Sequence, residues 1–336
     1  MSSFLIAAAI LVPLTAVAGA LFSWMQRRAS VGQHIRTLGF RLHRDKAGTP
    51  TMGGLVLVAL WGLSLAALHT LRGPLPPAAW AVYVSAASFG AVGLTDDVLS
   101  QVRRRSAGLS VGQKLGLTAI LGAGLLAAFP ETFGVPLRVP FSAGSVALSL
   151  PVWGALGVIV FVATTNSMNL TDGQDGLATG ISLLIGGTLL AALPGAAGRE
   201  ALIPLLGALL GFLWVNVYPA RLFLGDVGAF ALGGGIAALA LANGLSFVLP
   251  LFAGVLVLEA ASVLIQVATF RLSGRRLLRM SPLHHHFEAP SGPARPHILP
   301  AVDLREPTIT IRLWIVQALC GVLAVLAIVL PLHRGM

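Results

Sequence analysis

Charge is what this chain has least of. Only 10% of its 336 residues are Asp, Glu, Lys or Arg, 56% are hydrophobic, and the mean hydropathy is +0.87. Soluble domains carry about 25% charged residues, so an ordinary soluble fold is excluded. Acidic residues are the scarcer half, 12 against 22 Lys and Arg, and each carboxylate in so apolar a chain needs a reason to be there. Cysteine occurs once, at Cys320 inside the last apolar run, which rules out an internal disulfide or a thiolate metal site. Internal repeats are missing, unlike the paired halves of many secondary transporters. The first apolar run also lacks a basic leader: Met1-Ser-Ser precedes it and Arg27-Arg28 follows it. That is the reverse of a cleaved signal, so the run is read as a retained helix.

What the chain does contain is ten apolar runs, near residues 4–24, 53–70, 78–95, 115–130, 150–166, 177–194, 200–217, 227–242, 246–270 and 311–332. About 20 apolar residues span a bilayer core. The pattern predicts an all-α polytopic protein of ten transmembrane helices, with residues 1–336 forming a single membrane domain. Between 133 and 148, Gly and Pro among loosely alternating Val, Leu and Phe predict a short hairpin.

The basic residues are distributed unevenly. Of the 22, 18 fall in the odd-numbered connections or at the edge of the last run, and only Arg72, Arg138, Arg199 and Arg334 fall on the other side. The positive-inside rule then puts both termini and the hairpin outside, and the loops near 25–52, 96–114, 166–176, 216–226 and 271–310 in the cytoplasm. On this reading the net charge of +10 serves topology, anionic membrane lipid and an anionic substrate, not nucleic acid.

The unusual polar clusters lie in those same loops. Asn169-Leu-Thr-Asp172-Gly-Gln-Asp175-Gly176 sits between two apolar runs, and its glycines permit tight turns and close approach to a ligand. Two carboxylates with an amide and a hydroxyl suit a hard cation and a phosphate, although Asp172 and Asp175 would also serve to cap the next helix. The third run ends in Asp96-Asp97, adjacent carboxylates that repel each other unless a cation or proton intervenes. Thr49-Pro50 reads as a cap with proline at the first helical position, placing Lys46 and Thr51 beside a helix N-terminus, where anions bind. Asp226 opens the eighth run and would serve either as a cap or as a ligand. His284-His285-His286 cannot all face one ion, because consecutive side chains diverge; imidazoles donating to phosphate are the better use. Pro290 to Pro300 reads as an insert rich in Pro and Gly. Only Glu259 is a plausible intramembrane acid. Carboxylates that gather Mg²⁺, with Lys and His beside them, point to phosphoryl chemistry at the membrane surface.

The motifs Gly48-Thr-Pro-Thr-Met-Gly-Gly54, Asp96-Asp97, Gly108-Leu-Ser110, Asn169 to Ala178, Phe223-Leu-Gly-Asp226 and Pro282 to Glu288 together resemble the phospho-N-acetylmuramoyl-pentapeptide transferases, within the polyprenyl-phosphate N-acetylhexosamine-1-phosphate transferases. The resemblance runs from about residue 40 to the last span. It implies a ten-helix homodimer in the bacterial inner membrane with its active site facing the cytoplasm. The implied reaction is Mg²⁺-dependent transfer of phospho-MurNAc-pentapeptide from UDP-MurNAc-pentapeptide to undecaprenyl phosphate, giving lipid I and UMP. Carried over by motif, Asp226, Asn169 and Asp172 would bind Mg²⁺ and shape the diphosphate site, and Asp96 and Asp97 would handle the lipid phosphate. Phe223, Asn216 and Asp175 would hold uridine. Lys46, Thr51, Lys114, Gln266 and the three histidines would lie near the phosphates. Gln174, Ser100 and a longer segment after Glu288 depart from the family pattern. A GlcNAc-1-phosphate transferase is the nearest rival, and a cation transporter a distant one.

Overall fold

The computed structural model describes residues 1–28, 48–103, 108–290 and 296–330. Among them, nine helices are long and apolar enough to cross a bilayer: α1 (Ser2–Arg28), α2 (Gly54–Arg72), α3 (Pro77–Val102), α4 (Val111–Ala128), α6 (Leu150–Thr171), α8 (Arg199–Asn216), α9 (Gly225–Ala242), α11 (Gly254–Ser273) and α13 (Glu306–Val329). Short helices α5 (Pro130–Phe133), α7 (Leu177–Ala192), α10 (Leu249–Phe252) and α12 (Leu283–His286) complete the helical set. The expected hairpin is present as β1 (Leu137–Arg138) paired antiparallel with β2 (Ser145–Val146), Leu137 opposite Val146. The fold is therefore an all-α polytopic membrane protein.

The bundle is built around α9. Every residue from Val227 to Ala242 is buried, and the helix is mostly Gly and Ala, which lets backbones approach closely where lipid supplies no hydrophobic drive. A β-carbon on Gly93 of α3 would overlap the backbone of Asp226 and Val227, and one on Gly54 of α2 would overlap Gly228. Gly233 and Gly234 are closed in the same way by Thr165 of α6 and Phe89 of α3. These contacts seat the N-terminus of α9 against the last turns of α3.

Four expectations need correction. The sixth run forms only the 16-residue α7, about 24 Å at 1.5 Å per residue and short of a bilayer core. It begins after Gly176, held at φ 74°, and ends at Ala192, with Leu193 as the capping residue before Pro194. The ninth run is not continuous: α10 stops at Phe252 and α11 starts at Gly254. The third helix continues past the acidic pair to Val102, so Asp96 and Asp97 ride on its final turns. Thr49-Pro50 does not start a helix, because α2 begins at Gly54. The N–H groups of Gly53 and Gly54 donate instead to Phe223 O and Leu224 O, and Phe223 N donates to Pro50 O.

If the α3–α9 crossing depends on the missing side chain, Gly93→Ala should destabilise the protein by about 1–3 kcal/mol through overpacking. Gly187→Ala, where a β-carbon meets nothing within 4 Å, should leave thermal unfolding in detergent nearly unchanged.

Candidate active site

Four helix ends meet on the side of the bundle opposite the hairpin. Asp96 and Asp97 come from the end of α3, Lys114 from the first turn of α4, Asn169 from the end of α6 and Asp226 from the first turn of α9. The start of α4 is set by a capping box: Ser110 Oγ accepts from Gln113 N, and Gln113 Oε1 accepts from Ser110 N. That register delivers Lys114 Nζ to the carboxylates, 2.6 Å from Asp226 Oδ2 and 3.0 Å from Asp96 Oδ2. One ammonium thus bridges two acids from different helices. Asp226 Oδ1 accepts from Asn169 Nδ2 at 2.9 Å, and Asp96 Oδ1 accepts from Leu109 N at 2.6 Å.

Asp97 takes a different part. The residue preceding α9, Leu224, offers no side-chain cap, and Asp97 Oδ2 accepts from Val227 N at 3.0 Å. It caps the helix that carries Asp226 from another element, where a carboxylate also suits the positive end of the macrodipole. Gly225, at φ 76°, is pressed against Thr51 and Asp97 with no room for a side chain. Thr51 N is tied to Gln26 Oε1 of α1 at 3.1 Å. Lys46 lies outside the described residues.

The octapeptide forms the turn between α6 and α7. Asp172 closes α6, its N–H donating to Met168 O, and its side chain is partly exposed. The Asp175 side chain accepts from Ala220 N at 2.9 Å, and its own N–H donates to Glu306 Oε1 at the start of α13. Asn216 is 3% exposed, and its amide joins Thr179 Oγ1 to Leu222 O. Asp175 and Asn216 therefore hold the 217–223 connection in place. Phe223, partly exposed, stands at its end. Gln266 acts in a similar way on the last loop, accepting from Leu277 N and Leu278 N and donating to Leu278 O.

The histidines diverge as the residue spacing requires. His284 faces Glu259 of α11 at 3.3 Å, and His285 faces Glu288 at 3.0 Å. His286 accepts from Arg279 N at Nδ1 and meets Pro300 O at Nε2. That pairing selects the neutral ring protonated at Nε2.

Comparison with known proteins identifies the family. The Glycosyl transferase family 4 model matches residues 79–244, from α3 through α9, and signature 1 of the phospho-N-acetylmuramoyl-pentapeptide-transferases matches residues 46–58. The transferase of that name from Moorella thermoacetica is 43% identical over 267 residues, 78% of this chain and 82% of the relative. That from Pelotomaculum thermopropionicum is 39% identical over 302 residues, 86% and 90% of the two chains. That from Shouchella clausii is 37% identical over 312 residues, 91% of each. This chain belongs to the phospho-N-acetylmuramoyl-pentapeptide-transferase family.

As a member of that family of glycosyl-1-phosphate transferases, the chain shows what its departures from the motif accomplish. Gln174, which departs from the motif that the resemblance implies, donates to Glu288 Oε1 at 2.8 Å and accepts from Thr310 Oγ1 at 3.4 Å. The polar substitution is thus satisfied by a neighbouring acid and a hydroxyl. Several members of these networks carried no signal in the motifs: Gln26, Thr179 and Glu306 stand far along the chain from the groups they hold. The donor chemistry around Asp226 fits a hard cation. No three His, Cys, Asp or Glu side chains converge as a metal cage among the described residues, but Mg²⁺ characteristically takes one or two carboxylates and completes its shell with water and substrate phosphate.

Burial lowers the pKa of His286 from its ordinary value near 6.5. The unfolded chain therefore takes up this proton first on acidification. The contribution of neutral His286 is fully present above about pH 6.5 and is lost as pH falls through and below it. His286→Asn retains an acceptor near the Nδ1 position and should flatten the decline of the melting temperature between pH 7 and pH 5 relative to the parent.

Proposed function

We propose that this protein transfers phospho-MurNAc-pentapeptide from UDP-MurNAc-pentapeptide to undecaprenyl phosphate, releasing UMP and forming lipid I for peptidoglycan synthesis. The observation that carries this reading is the convergence of Asp96, Asp226, Asn169 and Lys114 at one end of the bundle, within a chain related over most of its length to transferases of that name. The site lies on the side of the membrane with the basic connections, which supports a cytoplasmic active site in the bacterial inner membrane, open to a soluble nucleotide and a membrane-held phosphate together. The family resemblance also supports a homodimer.

Asp226, Asn169 and Asp172 would hold Mg²⁺, which when bound neutralises charge on the transferring phosphoryl oxygens. The remaining work falls to the chain. Lys114 brings a cation to the carboxylates and is placed to accompany the diphosphate. Asp97 fixes the N-terminus of α9, and with it Asp226. An oxygen of the lipid phosphate attacks the β-phosphorus while the bond to the UMP oxygen breaks, and Asp96 accepts the lipid phosphate's proton. This direct displacement asks mainly for alignment and charge screening, because the nucleophile is already anionic. Phe223 would stack on uracil at the end of the loop that Asp175 and Asn216 hold, with Thr51 toward the phosphates. Gln266, His285 and His286 keep the last loop over the site.

In nanodiscs, UMP release should require both UDP-MurNAc-pentapeptide and undecaprenyl phosphate, and UDP-GlcNAc should not substitute. Asp226→Asn keeps the size of the side chain and should lower kcat by about 100-fold or more at saturating Mg²⁺, as loss of a key electrostatic group does, with the fold retained. Release of UMP without lipid phosphate, or an Asp226→Asn enzyme as fast as the parent, would contradict the proposal.

A further inference from the structure

Glu259 takes no part in the mechanism above, yet it is a carboxylate with no exposed surface within α11. His284 is equally buried. Its Nδ1 lies 3.3 Å from Glu259 Oε2, and its backbone N–H donates to the same oxygen at 3.4 Å. The other edge of the ring is turned toward the octapeptide: a β-carbon built on Gly173 would overlap His284 Nε2. The imidazole is therefore wedged between a carboxylate inside the membrane domain and the backbone next to Asp172. Glu259 Oε1 and both ring nitrogens of His284 have no hydrogen-bond partner among the described residues, so Nδ1 meets Glu259 Oε2 as a close contact and not as a hydrogen bond. Burying such groups is unfavourable, and an apolar pair of similar shape is often as stable or more so. Stability alone does not account for an acid and an imidazole at this position.

We propose that Glu259 and His284 form a buried strut that positions Asp172 through Gly173. Both are positioning residues, and His284 does not touch substrate. The proposal rests on the transferase reading, in which Asp172 helps to shape the metal and diphosphate site. A strut of this kind has a specific kinetic consequence. Displacing Asp172 misaligns the reacting phosphates, whereas the 217–223 connection proposed to hold the uridine is fixed by other bonds, from Asn216, itself held by Thr179, and from Asp175. Losing the strut should lower kcat and leave the nucleotide KM nearly unchanged. Gly173 is part of the device, since any side chain there would push the ring away.

The test compares the parent, Glu259→Gln, Gly173→Ala, His284→Asn and the Glu259→Gln/His284→Asn double variant in nanodiscs. It uses steady-state UMP release together with mass-spectrometric mapping of histidines modified by diethyl pyrocarbonate. Glu259→Gln and Gly173→Ala should each lower kcat by about 10- to 100-fold, as small misplacements do, with KM within about twofold. His284 should resist modification in the parent and become reactive in both of these variants. Glu259→Gln should add less than about twofold to the loss in His284→Asn, because residues that act as one unit are not additive. Additive losses, a His284 reactive in the parent, or a Glu259→Gln enzyme with unchanged kcat and a protected His284 would each overturn the strut. If His284→Asn fails to fold, Gly173→Ala still decides the matter, since it keeps both side chains of the pair and changes only the backbone position they press on. A parent that releases no UMP would contradict the transferase reading, and the labelling contrast would still test the strut.

Discussion

One ammonium group holds the working end of this protein together. Asp96 and Asp226 come from different helices and approach the same point, which two anions in a partly apolar setting do not do unaided. Lys114 makes the approach possible by standing within 3.0 Å of both. Its side chain is 18% exposed and its partners 8% and 25% exposed, so the attraction is only partly screened, and removing the cation would leave like charges facing each other. The capping box at Ser110, the end of α3 and the start of α9 can all be seen as means of delivering three charged groups to this point.

Packing and electrostatics support each other around that contact. The Gly- and Ala-rich α9 comes close enough to α3 for Asp97 to cap it, and the cap fixes where Asp226 points. The connection that leads into α9 is in turn laced to the segment before α2 by the bonds of Pro50, Gly53 and Gly54 with Phe223 and Leu224. Nothing in the cluster depends on a long loop finding its place alone. Each polar residue is either at a helix end or tied to one, which suits a site that must align two phosphates.

The membrane architecture was legible because apolar length is a one-dimensional property. The runs at 4–24 and 227–242 became α1 and α9, and the hairpin appeared where Gly and Pro interrupted them. Helix ends were less legible. Thr49-Pro50 has the composition of a helix start, but the carbonyls of a distant connection accept from Gly53 N and Gly54 N instead, and no local pattern reveals that exchange. The polar octapeptide was visible as a cluster, and the divergence of the three histidines followed from spacing alone. The tasks of Asn216 and Gln266 were not visible. Motif resemblance sets both beside substrate, while the fold commits their amides to Thr179 and Leu222 and to Leu277 and Leu278. Those partnerships depend on which elements meet, and that information is tertiary.

The most direct test of the shared ammonium is the sign of a stability change. Thermal unfolding would be measured in nanodiscs with EDTA present, so that no divalent cation replaces the lysine, for the parent, Asp96→Asn, Lys114→Met and the double variant. With Lys114 in place, Asp96→Asn removes an attraction and should lower the melting temperature. In the Lys114→Met background the same substitution relieves repulsion from Asp226 and should raise it. A change of the same sign in both backgrounds would contradict the account.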